Sequence, residues 1–202
     1  MSGTSTREQI VEAADQLFYE QGFEATSFAD IASAVNLSRG NFYYHFKTKD
    51  EILDAVIAVR LTNTRKMLDA WEAEAGAPAD RIRCFIHILI ANRAKIMLYG
   101  CPVGTLCHEL AKLDHGAQRK AGKLFILFRD WLTRQFTALG NKGDADVLAM
   151  HLLVRSQGVA TLATAFRDET FIRREVDDMY AWLDAQRPVG KRRSGAASPD
   201  RT

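Results

Sequence analysis

Residues 26–53 read TSFADIASAVNLSRGNFYYHFKTKDEIL, and they carry the most specific structural pattern in the chain. Ser27 followed by Asp30 is the pattern of a helix N-cap, and it predicts a short helix over about 28–35. Asn36 comes next, where the chain must turn sharply. Asparagine tolerates a left-handed backbone better than most residues with a side chain, so we expect the turn at this position.

Ser38 predicts the cap of a third helix over about 39–45, which is dense in polar and aromatic groups. Phe42 and Phe46 are its expected core anchors. Three short helices with a tight turn between the second and third have the geometry of a helix-turn-helix, in which the third helix enters the major groove of DNA.

Two further capped helices flank this pair. The first, over about 6–21, has apolar residues at helical spacing and a predicted capping box of Thr6 and Gln9. The fourth begins with a predicted capping box of Thr48 and Glu51 and continues for more than twenty residues. It leads out of the helix-turn-helix into the rest of the chain.

The remaining sequence is helical in pattern, without strand alternation. The predicted helices cover about 79–98, 103–111, 115–139, 144–166 and 170–185. We therefore expect an all-α fold, in which a long helix joins an N-terminal three-helix unit to a helical bundle. The expected organisation is a DNA-binding domain over 1–50, an effector-binding and dimerisation domain over 51–187, and a disordered basic tail over 188–202.

The composition is that of an ordinary globular protein, with 47% hydrophobic and 26% charged residues among 202. No apolar run approaches the roughly 20 residues of a membrane-spanning helix, and the start of the chain does not resemble a secretory signal. Three cysteines fit no disulfide framework. These features predict a cytoplasmic protein.

The overall charge does not by itself predict nucleic-acid binding. The net charge is +2, and residues 1–60 contain nine acidic against five basic residues. Any DNA contact must therefore depend on local charge. Arg39, Lys47 and Lys49 supply it, because no acidic residue lies among them. The basic run at 191–193 could add nonspecific attraction, or it could simply be solvated.

The stretch over 26–53 closely resembles the N-terminal signature of the TetR family of transcriptional regulators. The shared features are a Thr or Ser before helix 2, the Tyr-Tyr-His-Phe run on helix 3 and a Lys followed by an acid at helix 4. The resemblance extends back through helix 1 and covers about 55 residues. It implies a dimeric, ligand-responsive repressor that binds a palindromic operator. No cofactor or catalytic residue is predicted, and the lack of a Cys-x-x-Cys spacing argues against a metal site.

The third helix carries the predicted base contacts. Arg39 can bond guanine and Asn41 can bond adenine through paired hydrogen bonds, while Gly40 allows close approach. The resemblance implies a phosphate contact for Tyr43. Tyr44 and His45 could contact phosphate or wedge against helix 1. The full set of predicted DNA-binding residues is Thr26, Ser27, Ser38, Arg39, Gly40, Asn41, Tyr43, Tyr44, His45 and Lys49.

Thr26, Ser27 and Lys49 are predicted to bind phosphate because each lies at a helix N-terminus. Capping alone would also explain Thr26 and Ser27. Lys49 is a stronger candidate, since a cation at this end of a helix opposes the macrodipole, and a nearby phosphate would remove that conflict.

The resemblance also implies an effector pocket and a four-helix dimer interface in the C-terminal part. Predicted pocket or sensor residues are His87, Cys101, Cys107, Phe125, Phe128, Trp131 and Arg155. Predicted interface residues are Leu148, Leu152, Val159 and Leu162. The pocket assignment is open, because aromatic residues at helical spacing belong to a core more often than to a ligand site.

Several alternatives remain. Gly100-Cys101-Pro102-Val103-Gly104 resembles a turn found in one subset of these regulators, and a thiol at a helix N-terminus can sense oxidants or electrophiles. The competing interpretation is that Cys101 is a small buried hydrophobe, as most free cysteines are. Cys107 and His108 as a catalytic pair are disfavoured, since adjacent helical residues diverge by about 100°. A protein-binding bundle without DNA is the last alternative.

Overall fold

The computed structural model describes residues 5–186 and, within them, every side chain except that of residue 39. The described residues form ten helices and no strand, which confirms the all-α prediction. They are α1 (Thr6–Glu20), α2 (Phe28–Ala34), α3 (Arg39–His45), α4 (Lys49–Glu74), α5 (Pro78–Ala91), α6 (Arg93–Tyr99), α7 (Pro102–Lys112), α8 (Gln118–Leu139), α9 (Ala145–Phe166) and α10 (Glu169–Ala185). The predicted tail over 188–202 lies outside the described residues.

The first two helices begin with capping boxes. At α1 the box joins Ser5 and Glu8, so the predicted pairing of Thr6 with Gln9 is wrong by one residue. The Glu8 carboxylate accepts the Ser5 backbone N–H at 2.8 Å, and this hydrogen bond lowers the pKa of Glu8. At α2 the predicted box of Ser27 and Asp30 is confirmed.

The helix predicted over about 79–98 is two helices, α5 and α6, divided at Asn92. The Asn92 backbone has φ −107° and ψ 13°, and its side-chain amide donates to the Ile88 carbonyl at 3.1 Å. Asparagine side chains compete in this way with the backbone hydrogen bonds of a helix. No single helix of the described residues is long and apolar enough to span a membrane. One pair of segments, Pro78–Ala91 and Arg93–Lys112, is long and apolar enough when taken together, but the two segments are bent by 60° relative to each other.

Two hydrophobic cores hold the helices together. The first core is built by α1 to α3, the beginning of α4, and parts of α7 and α8. Its buried residues are Ile10, Val11, Ala14, Phe18, Phe23, Ile31, Phe42, Phe46, Ile52, Leu53, Val56, Ile57, Leu106, Leu110, Ala117 and Ala121. The predicted domain boundary at residue 50 thus passes through this core, which joins the helix-turn-helix to α7.

The second core lies among the C-terminal halves of α4 and α8 and the helices α5, α6, α9 and α10. Trp131 is its largest fully buried side chain, and Trp71 packs edge-on against it at 5.7 Å between ring centroids. Trp182 also packs against this core. All three tryptophans of the chain therefore belong to the C-terminal part.

Polar contacts fasten the start of α7 to the N-terminal helices. The Tyr19 hydroxyl donates to the Gly100 carbonyl at 2.8 Å. Arg60 of α4 donates to the Pro102 carbonyl at 2.6 Å and pairs with Asp15 of α1 at 2.6 Å. The turn before α7 is therefore held by both α1 and α4.

Tyr19 makes this junction sensitive to alkaline pH. Burial, with a smaller contribution from the neighbouring Cys101, raises the pKa of Tyr19 to about 12. A raised pKa in the folded state favours the protonated form, so its stabilisation is complete below about pH 10 and is lost as the pH rises through 12. We expect wild-type stability, measured by urea unfolding, to fall over this range and the Tyr19→Phe curve to be flatter. Tyr44→Phe, at an exposed site, should follow the wild type; identical slopes for Tyr19→Phe and wild type would contradict the prediction.

Candidate nucleic-acid interface

The third helix, α3, is held by two aromatic anchors. Phe42 and Phe46 are 1% and 2% exposed, as predicted, and the Phe28 ring of α2 meets Phe42 edge-on at 5.2 Å. Because these side chains lie on the inner face of the helix, Asn41 and Tyr44 on the other faces are left exposed.

The turn before α3 has the expected geometry. Asn36 adopts φ +52°, which confirms the left-handed prediction. The Leu37 N–H donates to the Ala32 carbonyl at 3.0 Å and so closes the turn. Ser38 then caps α3, since its hydroxyl accepts the Asn41 N–H at 3.4 Å. These contacts fix how α3 leaves the turn.

The outward side chains of α3 are arranged by aromatic contacts. The Tyr43 ring stacks on Phe28, with 5.5 Å between centroids and 11° between planes, and its outer part stays exposed. Tyr44 is 79% exposed and meets His45 edge-on at 5.2 Å. That exposure excludes the alternative in which Tyr44 wedges against α1. The Arg39 side chain lies outside the described part of the structure, so its base contact stays a prediction.

Neither the backbone conformation nor the packing of the folded chain requires glycine at position 40. A Cβ placed on it would meet nothing within 4 Å, and its φ is not positive. Alanine is a better helix former than glycine, by up to about 1 kcal/mol. The open space lies on the exposed side of α3, where a ligand of this helix would approach.

The N-terminus of α2 departs from the prediction. Thr26 is fully buried and its hydroxyl donates to the Gly22 carbonyl at 2.7 Å, which contradicts a phosphate contact through that hydroxyl. Ser27 is exposed, but its hydroxyl donates to the Asp30 carboxylate at 2.6 Å. Hydrogen bonds from Ser27 also lower the pKa of Asp30, so an anion stands beside the serine. A phosphate contact at Ser27 stays a prediction.

Lys49 is bound inside the protein. Its ammonium donates to three carbonyl oxygens in the loop between α1 and α2: Phe23 at 2.9 Å, Glu24 at 3.2 Å and Thr26 at 3.2 Å. An ammonium has three donors, so all are occupied. The partial negative charges of three carbonyl oxygens thus stabilise the ammonium, a role that the sequence argument assigned to a phosphate. The argument that Lys49 needs a phosphate to offset the helix macrodipole is therefore wrong. A phosphate contact at Lys49 stays a prediction, but this argument no longer supports it.

The predicted pocket residues do not come together. Among them, His87 alone lines an open cavity of about 470 Å³ that the described residues form between α4, α5 and α10. The other lining residues are Met67, Trp71, Arg83, Cys84, Ile88, Ala91, Asn92 and Tyr180. Sequence analysis missed them, although the spacing of Cys84, Ile88 and Ala91 on α5 marks one helix face. Phe128 and Trp131 lie in the second core, and Phe125 packs against it.

The other predicted sensor residues have partners in the protein. Arg155 pairs with Glu175 at 3.3 Å and with Asp178 at 3.9 Å. Cys101 caps α7, where its sulfur accepts the Gly104 N–H at 3.5 Å. Burial raises the pKa of the Cys107 thiol, which disfavours the reactive thiolate.

The predicted dimer residues are largely turned inward, which is a correction. Leu152 and Val159 are buried in the second core, and Leu148 is half-buried; only Leu162 of the four is exposed. The reason is that α9 is apolar on several faces, so its sequence does not show which face is covered. The exposed apolar residues of α9 form a stripe at helical spacing: Val147, Met150, Val154, Leu162 and Phe166.

Comparisons with known proteins agree with this geometry. The sequence model of the tetR family of bacterial regulatory proteins matches residues 10–56. An uncharacterized HTH-type transcriptional regulator of Lactococcus lactis subsp. lactis is 31% identical over 137 residues, which cover 67% of this chain and 70% of that protein. The HTH-type transcriptional regulator TtgR of Pseudomonas putida is 44% identical over 85 residues, 42% of this chain and 40% of TtgR.

The similarity extends to solved structures. The crystal structure of a TetR transcriptional regulator from Legionella pneumophila superposes with a TM-score of 0.80 over 92% of this chain and 98% of that one, at 24% identity. The match therefore includes both the helix-turn-helix and the C-terminal bundle. These comparisons do not test the weaker resemblance of Gly100-Cys101-Pro102 to a turn found in one subset of the family, so it stays a prediction. This chain belongs to the TetR family of DNA-binding transcriptional regulators, which are not enzymes.

Proposed function

We propose that the protein is a ligand-responsive repressor that binds a palindromic operator as a homodimer in the cytoplasm. The observation that carries the proposal is the exposed face of α3. There the unhindered Gly40 lies beside Asn41, and Tyr43 is held by its stacking on Phe28. A small residue, a bidentate amide and a fixed hydroxyl on one short capped helix suit a major groove and its flanking phosphates.

The apolar stripe on α9 supports dimerisation with a second copy. Large exposed apolar residues along one helix mark an interface in a soluble protein. Gly158 lies within the stripe, and a Cβ placed on it would meet nothing within 4 Å, so a partner helix can approach closely there. A two-fold dimer presents two α3 helices to two half-sites about 34–36 Å apart, which is why the operator is proposed to be palindromic.

The cavity between α4, α5 and α10 supports a small-molecule effector. Its volume of about 470 Å³ is within the range of ligand sites, and apolar residues line most of it around a few polar groups such as His87 and Arg83. Since α4 begins next to α3 and carries two of the lining residues, occupancy of the cavity can alter the separation of the two recognition helices. In this proposal residues 51–187 form the effector and dimerisation domain.

Gly40→Ala tests the proposal, because its effects on the fold and on DNA binding have opposite signs. We expect unchanged or slightly higher thermal stability, since alanine favours the helix. We expect operator affinity to fall about tenfold, because a methyl group at the groove surface separates α3 from the base edges. The measurement is fluorescence anisotropy with DNA from around the protein's own gene, over a range of salt concentrations.

Gly122→Ala is the matched control, since Gly122 is another helical glycine with open space at its Cβ, on α8. It should bind DNA like the wild type. Equal operator affinity for Gly40→Ala and wild type would contradict a close approach of α3 at this residue. A folded wild-type protein without sequence-preferring binding would contradict the proposed operator.

A further inference from the structure

The loop between α1 and α2, residues 21–27, is fixed by its central side chain. Phe23 is 2% exposed although it belongs to no helix. Its ring meets Phe18 edge-on at 5.3 Å and His115 at 5.2 Å, and the Lys49 ammonium lies 4.4 Å from the ring centroid. The loop that leads into the helix-turn-helix is thus packed between α1, α4 and the segment before α8.

The backbone of this loop is held from two sides. On one side Lys49 of α4 binds the carbonyl oxygens of Phe23, Glu24 and Thr26. On the other side the carboxylate of Glu109 accepts the N–H groups of Phe23 and Glu24, each at 2.9 Å. A Cβ on Gly22 would lie 3.0 Å from a Glu109 oxygen, so this carboxylate packs directly on the loop.

Glu109 belongs to α7, outside the helix-turn-helix. Hydrogen bonds to a carboxylate are stronger than those between neutral groups, and among the described side chains it is that of Glu109, on another helix, that accepts these two N–H groups. The other end of α7 lies against α9: the Gln157 amide donates to the Cys101 sulfur at 3.5 Å, and a side chain at Gly104 would collide with Gln157. Helix α7 therefore contacts the proposed dimerisation helix at one end and the loop before α2 at the other.

We propose that Glu109 is a positioning residue for operator binding, which acts by holding the loop at 21–27 and thereby the orientation of α2 and α3. The inference rests on the proposed operator binding. Without the carboxylate, two backbone N–H groups lose their acceptor, and the loop is held by its hydrogen bonds to Lys49 and by the packing of Phe23. The helix-turn-helix then samples orientations that do not match the groove, and each such orientation reduces the fraction competent to bind.

The test is Glu109→Gln in the full-length protein. The loss of the negative charge and the loss of loop positioning are expected to change DNA affinity in opposite directions. Removing one negative charge by itself strengthens attraction to DNA. Loss of positioning weakens sequence-specific binding, and we expect operator affinity to fall about tenfold while affinity for a random duplex of equal length does not fall. Glu24→Gln is the matched control: it removes the same charge from an exposed side chain of the same loop, and should not weaken operator binding.

Amide hydrogen exchange gives a readout that does not depend on DNA. In the wild type the Phe23 and Glu24 amides should be protected although they lie outside any helix. Glutamine keeps one acceptor oxygen and places an NH2 donor where the other stood, so in Glu109→Gln at least one of the two amides should exchange at least tenfold faster, with thermal stability and oligomeric state close to wild type. Unprotected wild-type amides, or unchanged operator affinity in Glu109→Gln, would overturn the inference while leaving the proposed function in place. A wild type without operator binding would overturn both.

Discussion

Val154→Glu is expected to convert the protein into a monomer and to reduce operator affinity by about 10²- to 10⁴-fold, the range lost when two linked binding events become one. Val154 lies near the middle of the apolar stripe on α9 and is 63% exposed in the single chain. In a two-fold interface each substitution appears twice, so two carboxylates would have to be desolvated when the proposed interface forms. Analytical ultracentrifugation measures the oligomeric state, and anisotropy measures the affinity.

Leu98→Glu is the matched control for this variant. Leu98 of α6 is a comparably exposed apolar residue that lies outside the stripe. It introduces the same charge, so any repulsion from DNA is common to both variants. We expect Leu98→Glu to remain dimeric and to bind the operator within a few-fold of wild type. A dimeric Val154→Glu, or equal losses of affinity in the two variants, would contradict the assignment of the stripe to a second copy.

The N-terminal helices were predictable because their signals are local. Ser27 and Ser38 cap helices, Asn36 takes the left-handed turn and Phe42 lies in the core, and each of these follows from a residue and its near neighbours. The break at Asn92 was missed because asparagine inside an apolar helical pattern is a weak signal. Its side chain changes the helix only through one hydrogen bond to the preceding turn.

The site was less predictable, since its errors concern contacts distant in sequence. Lys49 is separated from its Phe23 acceptor by 26 positions, and Glu109 from Phe23 by 86. No spacing rule connects such residues. The burial of Leu152 on α9 likewise depends on which neighbouring helices cover it, and α9 offers an apolar surface in several directions. Family resemblance located the helix-turn-helix but not these contacts.

Phe42→Ala is expected to remove about 3–5 kcal/mol from the stability of the first core, as for other buried Phe-to-Ala changes. The loss is comparable to the whole stability of many domains, so operator binding should disappear. The second core makes no use of Phe42 and holds all three tryptophans. In urea, circular dichroism should therefore report an early partial loss of helix, while tryptophan fluorescence changes later, near the wild-type midpoint.

Tyr44→Ala is the control that tests whether any substitution in α3, and not only the loss of a buried ring, lowers the stability of the first core. Tyr44 belongs to the same helix but is 79% exposed, so its replacement should change stability by less than about 0.5 kcal/mol. For Tyr44→Ala, the unfolding transitions followed by circular dichroism and by tryptophan fluorescence should coincide as in the wild type. If circular dichroism and fluorescence also coincide for Phe42→Ala, the first core does not unfold separately. The residues Leu106 and Leu110, which α7 contributes to that core, would then bind the two parts of the chain into one cooperative unit.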